Sequence, residues 1–382
     1  MTDDAWKLAG QLIKNGVRFR YMRYAGKTDK PMAASLEVTH HCIAKCVMCN
    51  IWQIPRDIPN LSTEDWLHLL SSDLFSELKE LDITGGEPFL RKDLPDLIAG
   101  ICALKNLNHL RSIAITSNGF LTRRTLEQVE KILQPLENKS IDLVMVCAMD
   151  AIGPTHDKIR HFKEAWSKVD KTLQGLKILR ERYANLIVGL KTTVLPINVG
   201  ELPKIVQYAN ANGFFTIISP CIITAGRYLN PEKAEELVFS PEAIEQMIQF
   251  YQAEMTGWSY HGEQLVRLLQ TGTIKKPCSC GFNYFFVRSN GDLLLCPLID
   301  NFAGNIKETP VEELFYSKKA AAIRRHIGRY AECRQCTEPG LERYSLPYEG
   351  WAYLALLLKM GKKAFFEHHH HMGLDKYFNA TM

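Results

Sequence analysis

Residues 37–50, EVTHHCIAKCVMCN, decide how this chain is read. A short strand-like run leads into Cys42, Cys46 and Cys49, which are spaced four and three apart. Three thiolates can hold three irons of a cubane cluster, which leaves the fourth iron open to an outside ligand. The same spacing also suits buried thiols on one face of an amphipathic helix, or a zinc site completed by His40 or His41.

Working outward, the chain of 382 residues is 46% hydrophobic and 23% charged, the balance of a globular protein of about two domains. A net charge of +4 without a basic, aromatic-laced stripe gives no footprint for nucleic acid. The opening MTDDAWKLAG lacks the apolar core of a signal peptide, and the longest apolar run, Trp351 to Leu358, is too short to span a bilayer. A cytoplasmic protein is therefore expected. Of its eleven cysteines, eight fall in spaced clusters, which in a reducing compartment suit metal or cluster ligation better than disulfides.

Residues 1–31 read as an amphipathic extension. Trp6, Ala9 and Ile13 share a helical face, then Val17, Phe19 and Tyr21 alternate with arginines in a strand-like pattern. Packing against the main domain is expected of it, and contact with a lipid surface through the basic, apolar ends is the alternative. From residue 34, strands near Ser35–Thr39, Glu80–Thr84, Ser112–Thr116, Leu143–Ala148, Leu186–Leu195 and Phe214–Ser219 alternate with helical patterns. Ser62 with Asp65 gives a capping signal before the first of those helices. Six such units make an open (β/α)6 TIM-like barrel, an α/β fold over residues 32–240, with its chemistry at the carboxyl ends of the strands.

A helical linker over 241–270 follows. The unit at 271–336 contains Asn290-Gly291 between two apolar stretches, a β-hairpin signal in which both turn residues are expected at positive φ. Cys278, Cys280, Cys296, Cys333 and Cys336 all fall in this unit. Residues 337–382 form a tail with His368–His371, a run that suits a solvated tail or a metal site.

Gly85-Gly86-Glu87-Pro88 closes the second strand. Together with the cysteine triad it resembles the radical S-adenosylmethionine (radical SAM) superfamily. The resemblance implies a [4Fe–4S] cluster on Cys42, Cys46 and Cys49, with the amino and carboxylate groups of SAM on its open iron. Glycines at 85 and 86 let carbonyls approach the ammonium, Glu87 supplies negative charge and Pro88 fixes the exit turn. Ser117 and Asn118, within Thr116–Gly119, resemble the segment near the SAM carboxylate and ribose. Arg160, in His156–Arg160, is expected to present its fork to that carboxylate. Val194, in Lys191–Leu195 before Asn198, resembles the adenine-contacting segment. The chain departs from the family pattern at Met48, Ala148, Ala151 and His161.

The later cysteines resemble the twitch module, a shortened SPASM domain of small α+β type. Gly291, five residues before Cys296, carries the likeness, which implies one auxiliary [4Fe–4S] cluster on Cys280, Cys296, Cys333 and Cys336. Cys278 is the alternative to Cys280, and zinc competes for such a pair. The implied activity is reductive cleavage of SAM and removal of hydrogen from a substrate C–H, with flavodoxin or ferredoxin as electron donor. Dehydrogenation of a small polar or sugar-like molecule is favoured. Epimerisation with Cys221 or Cys147 as hydrogen donor, a lipid or peptide substrate, and a non-catalytic iron–sulfur carrier are the alternatives.

Overall fold

The computed structural model describes residues 3–254, 259–300 and 302–371. Six parallel strands, β1 (Ala33–Thr39), β2 (Glu80–Gly85), β3 (Ser112–Ser117), β4 (Asp142–Ala148), β5 (Leu186–Val194) and β6 (Phe215–Pro220), stand in chain order in one sheet. Crossover helices α2 (Thr63–Leu70), α3 (Leu94–Ala103), α4 (Thr122–Glu137), α5 (Pro154–Arg160), α6 (Ala165–Arg182) and α7 (Leu202–Asn212) join them. Ser62 and Asp65 cap α2 reciprocally, at 3.1 and 2.8 Å. The period-two pleat separates the two faces of each strand. In β3, Ile113 and Ile115 are fully buried in the main core, while Ser112, Ala114 and Thr116 line the barrel interior.

The 271–336 unit has no separate sheet. β7 (Tyr284–Val287) pairs in parallel with β1, and β8 (Asp292–Leu294) and β9 (Phe302–Asn305) follow antiparallel. Phe285, Val287, Leu293 and Leu295 accordingly join the barrel core. Of the expected turn pair only Gly291 takes positive φ, +97°. The turn is therefore of the longer kind, with glycine in the last position. Short helices α10 (Val311–Tyr316) and α11 (Lys318–His326) complete the unit.

Three sequence expectations change. The amino-terminal strand does not form: Asp3–Ala25 is one helix, α1. Val17 and Tyr21, four apart, meet on one helical face as readily as they would on a strand. The linker helices α8 (Pro241–Glu254) and α9 (Ser259–Thr271) bury Met247, Phe250, Tyr251 and Leu265 in the main core. The tail forms α12 (Pro339–Glu349), α13 (Trp351–Met360) and α14 (Lys362–His371), which build a second core with α1 around Leu8, Leu12, Leu346, Tyr353 and Phe365. Within the histidine run, His369 is buried against Tyr353, with Nδ1 2.5 Å from its hydroxyl.

Candidate active site

The cysteine loop crosses the carboxyl end of the barrel, and three elements hold it there by backbone bonds. Gly86 N donates to Thr39 O at 2.7 Å and Glu87 N to His41 O at 2.8 Å, zipping the end of β2 to the start of the loop. From α5, Ile159 O accepts Val47 N at 2.9 Å and Arg160 O accepts Lys45 N at 3.3 Å. From the loop after β6, Tyr228 O accepts Asn50 N at 2.9 Å and the Asn230 amide donates to Met48 O at 2.8 Å. The β2 contact is close enough to need glycine. A Cβ on Gly85, at φ +148°, would stand 2.1 Å from Thr39 O, and one on Gly86 2.2 Å from His41 O.

Cys42, Cys46 and Cys49 consequently line one cleft with Gly85, Gly86, Ser117, Asn118 and Arg160. Met48 and Ala148, two of the departures from the family pattern, line it too. Neither His40 nor His41 does; His40 Nδ1 sits 3.2 Å from Ser289 Oγ in the hairpin, so no histidine joins the three thiols. Asn118 Nδ2 and Arg160 Nε are buried beside the cleft without a hydrogen-bond partner among the described residues. Buried donors in that state await an acceptor. Among the described residues no three histidine, cysteine or carboxylate side chains are grouped tightly enough to hold a single metal ion. Three thiols lining one cleft, with a glycine floor and two unsatisfied donors, fit instead a cluster whose irons take one thiolate each, with a bound amino acid.

Several expected contacts turn out to be internal. The Glu87 carboxylate is fully buried and accepts from Ser117 Oγ at 2.9 Å, Asn118 N at 2.8 Å and Phe89 N at 3.2 Å. It braces β2 to β3 and does not face the cleft; burial pushes it up to about 7 against those three donors. Pro88 starts a buried turn outside the cleft lining. Arg160 does not hold its fork open, because Nη2 pairs with Asp150 at 2.7 Å and Nη1 lies 3.6 Å from Cys46 Sγ. Burial pushes the Cys46 thiol up, and that guanidinium opposes the rise. Asn198 is spent on backbone, joining Leu195 N to Asp150 O at 2.7 Å each.

Strand parity decides two more of the expected residues. Val146 and Ala148 line barrel cavities, so Cys147 between them points into the helix-facing core, where it is fully buried. That removes it as a hydrogen donor to anything in the barrel. Val194 faces the same core for the same reason, and its neighbour Thr193 lines the cleft. Cys221, just beyond β6, is half-buried; desolvation, then the charges of Asp150 and Cys49, push its thiol up to about 12.

Below the cleft, the barrel holds a half-open chamber of about 500 Å³ whose lining includes Asp82, Glu338 and Arg343. Thr116, Lys191 and Arg227 line both spaces. Lys191 Nζ lies 3.8 Å from a Glu338 carboxylate oxygen, and Arg227 donates to Thr84 Oγ1 at 2.6 Å. Burial pushes Glu338 up, but Lys191 and Arg227 outweigh it and hold the carboxyl below its usual range. These residues were missed from sequence, although a lysine inside LIVGLKTTV was a signal, since a buried strand rarely carries one unpaired.

The five later cysteines gather beside this wall. The Cys280 thiol hydrogen-bonds with both Cys278 and Cys296, and Cys333 and Cys336 each feel Cys278 and Cys296. Hydrogen bonding with Cys280, helped by Lys276 and Arg23, pulls Cys278 down to about 7. The residue after Cys336, Thr337, donates to Pro220 O at 2.9 Å and leads directly into Glu338.

Residues 36–209 match the radical SAM superfamily model and residues 278–337 the SPASM model, described as an iron–sulfur cluster-binding domain. The chain belongs to the radical SAM superfamily and carries a SPASM domain. Membership brings SAM, the [4Fe–4S] cluster that binds it, and auxiliary iron–sulfur.

Among similar proteins, the PqqA peptide cyclase of Granulibacter bethesdensis is 27% identical over 48% of this chain and 46% of that protein. The sporulation killing factor maturation protein SkfB of Bacillus subtilis is 22% identical over 77% of this chain and 67% of that one. The match thus spans less than half of the cyclase. In fold, the chain is similar to Streptococcus suis SuiB bound to S-adenosylmethionine, with a TM-score of 0.58 at 15% identity over 91% of this chain and 78% of that one.

Proposed function

We propose that Cys42, Cys46 and Cys49 hold the SAM-binding cluster, and that Gly85, Gly86, Ser117 and Asn118 hold SAM against it. The observation that carries this is the backbone zipper between residues 39–41 and 85–87, which fixes the glycine turn beside the three thiols. Carbonyl oxygens of the glycine turn accept ammonium protons, and Asn118 Nδ2 and Arg160 Nε donate to a carboxylate. Asp150 keeps Arg160 in place beside Cys46. When bound, the clusters and SAM would supply one-electron cleavage of the sulfonium, a 5′-deoxyadenosyl radical and an acceptor for the electron the substrate gives up.

The substrate occupies the barrel chamber, and the reaction is dehydrogenation of a compact polar molecule. Both acidic and basic groups line the chamber, which suits a hydroxyl- and amine-bearing substrate more than a purely apolar one. Flavodoxin or ferredoxin serves as electron donor. Cys296, Cys333 and Cys336 with Cys280 or Cys278 hold the auxiliary cluster, the Thr337–Glu338 link joining it to the chamber. A peptide side chain is the second reading, favoured by the names of the cyclase and maturation relatives.

The test is anaerobic reconstitution, reduction and assay of 5′-deoxyadenosine. The wild type forms it and Cys46→Ala does not; wild-type protein that loads iron yet never cleaves SAM is an iron–sulfur carrier instead. Deuterium arriving in 5′-deoxyadenosine from a labelled metabolite extract, against a labelled peptide pool, separates the two substrate readings.

A further inference from the structure

Helix α1 is apolar on two sides. Leu8, Leu12, Phe19 and Met22 are buried, and α1 packs along α12 and α13. Gly16 admits the Trp351 ring so closely that a Cβ there would lie 2.1 Å from its Nε1. On the other side Trp6, Ile13, Val17, Tyr21 and Tyr24 stand 64, 43, 59, 60 and 89% exposed. At 3.6 residues per turn these five fall within about 80° of arc, along roughly 27 Å of helix. A continuous apolar stripe of this kind marks an interaction surface.

Composition and charge choose the occupant. Three of the five side chains are Trp or Tyr, whose rings combine an apolar body with a polar tip and settle at the headgroup level of a bilayer. Exposed cations flank the stripe, Lys7 and Lys14 on one edge and, on the other, Arg20, whose guanidinium also lies over the Trp351 ring at 5.1 Å. Long basic side chains beside an apolar face snorkel outward to anionic headgroups. No helix among the described residues is long and apolar enough to cross a membrane. We propose that α1 is a membrane-docking helix that lies in the surface plane of an anionic lipid bilayer. Its opposite side rests on α12, whose first residues line the barrel chamber.

The experiment is co-sedimentation of the full chain with vesicles of phosphatidylcholine alone or mixed with phosphatidylglycerol, at low and high salt. Binding is expected only to the mixed vesicles, with loss in high salt. The Lys7→Glu/Lys14→Glu and Trp6→Ser/Tyr24→Ser variants, with circular dichroism as the folding control, should each weaken it about tenfold or more. Failure to sediment with mixed vesicles overturns the proposal, as does equal binding to both compositions. A wild-type dimer in sedimentation velocity that the Trp6→Ser/Tyr24→Ser variant dissociates assigns the stripe to self-association and also overturns it.

Discussion

Adding one methyl group at Gly86 tests whether the backbone zipper positions the chemistry. Its Cβ would meet His41 O at 2.2 Å, His41 C at 2.5 Å and His40 O at 2.6 Å, all backbone atoms of the cysteine loop. Side chains could turn away from such a contact, but these atoms are pinned by the bonds Gly86 N to Thr39 O and Glu87 N to His41 O. The loop and the turn must therefore separate. Overpacking of this kind costs about 1–3 kcal/mol, and the same loss in SAM positioning is roughly a 5- to 150-fold fall in cleavage. Gly10→Ala is the control, because nothing lies within 4 Å of its Cβ and alanine favours a helix. The assay is the rate of 5′-deoxyadenosine formation under reducing anaerobic conditions, with iron content and thermal unfolding measured in parallel. Gly86→Ala should load iron less completely or cleave SAM more slowly, while Gly10→Ala matches the wild type. Wild-type cleavage and stability in Gly86→Ala would refute the zipper as the positioning element.

The buried brace makes a pH prediction. Glu87 has its folded pKa raised to about 7 from 4.5, so its favourable contribution is complete below about 4.5 and fades as pH rises through 7, by about 3 kcal/mol at most. Denaturant titrations of the apo protein should show Glu87→Gln gaining on the wild type over that window; a pH-independent difference between the two would be contrary. Cys147→Ala should leave product formation intact and lower stability by about 1 kcal/mol or more for the lost buried sulfur, measured by thermal unfolding. If Cys221 returns hydrogen to a substrate radical, its half-buried, protonated thiol is the donor, and Cys221→Ala should consume SAM without matching product. Full product yield from that variant retires the role.

The bridge between the two cysteine sites is the loop following β6. Arg227 N donates to Pro297 O at 2.7 Å, just past Cys296, and three residues on Asn230 holds the Met48 carbonyl beside Cys49. Arg288, near the hairpin turn, donates to Gly226 O at 2.6 Å and pairs with Glu37 at 3.4 Å in β1. The auxiliary unit and the barrel therefore share one polar framework as well as one sheet.

Local chemistry made the barrel legible before folding was considered. Alternating apolar runs gave the six strands, Ser62 and Asp65 announced their helix, and glycines at 85 and 86 beside closely spaced cysteines declared a site where backbones must meet. These signals are short-range, set by steric allowance and residue spacing. Tertiary structure alone decided which way each side chain faces and what it touches. Cys147 lost its role because strand parity turns it outward, and Glu87 because two donors at the end of β3 and one from its own turn surround it. The sequence was equally silent on Arg227 and Glu338, which come from distant segments and acquire meaning only when folding brings opposite charges to one chamber beside Lys191. The amino-terminal helix follows the same division: periodicity revealed its apolar residues, and only packing against α12 and α13 determined which of them remain in water.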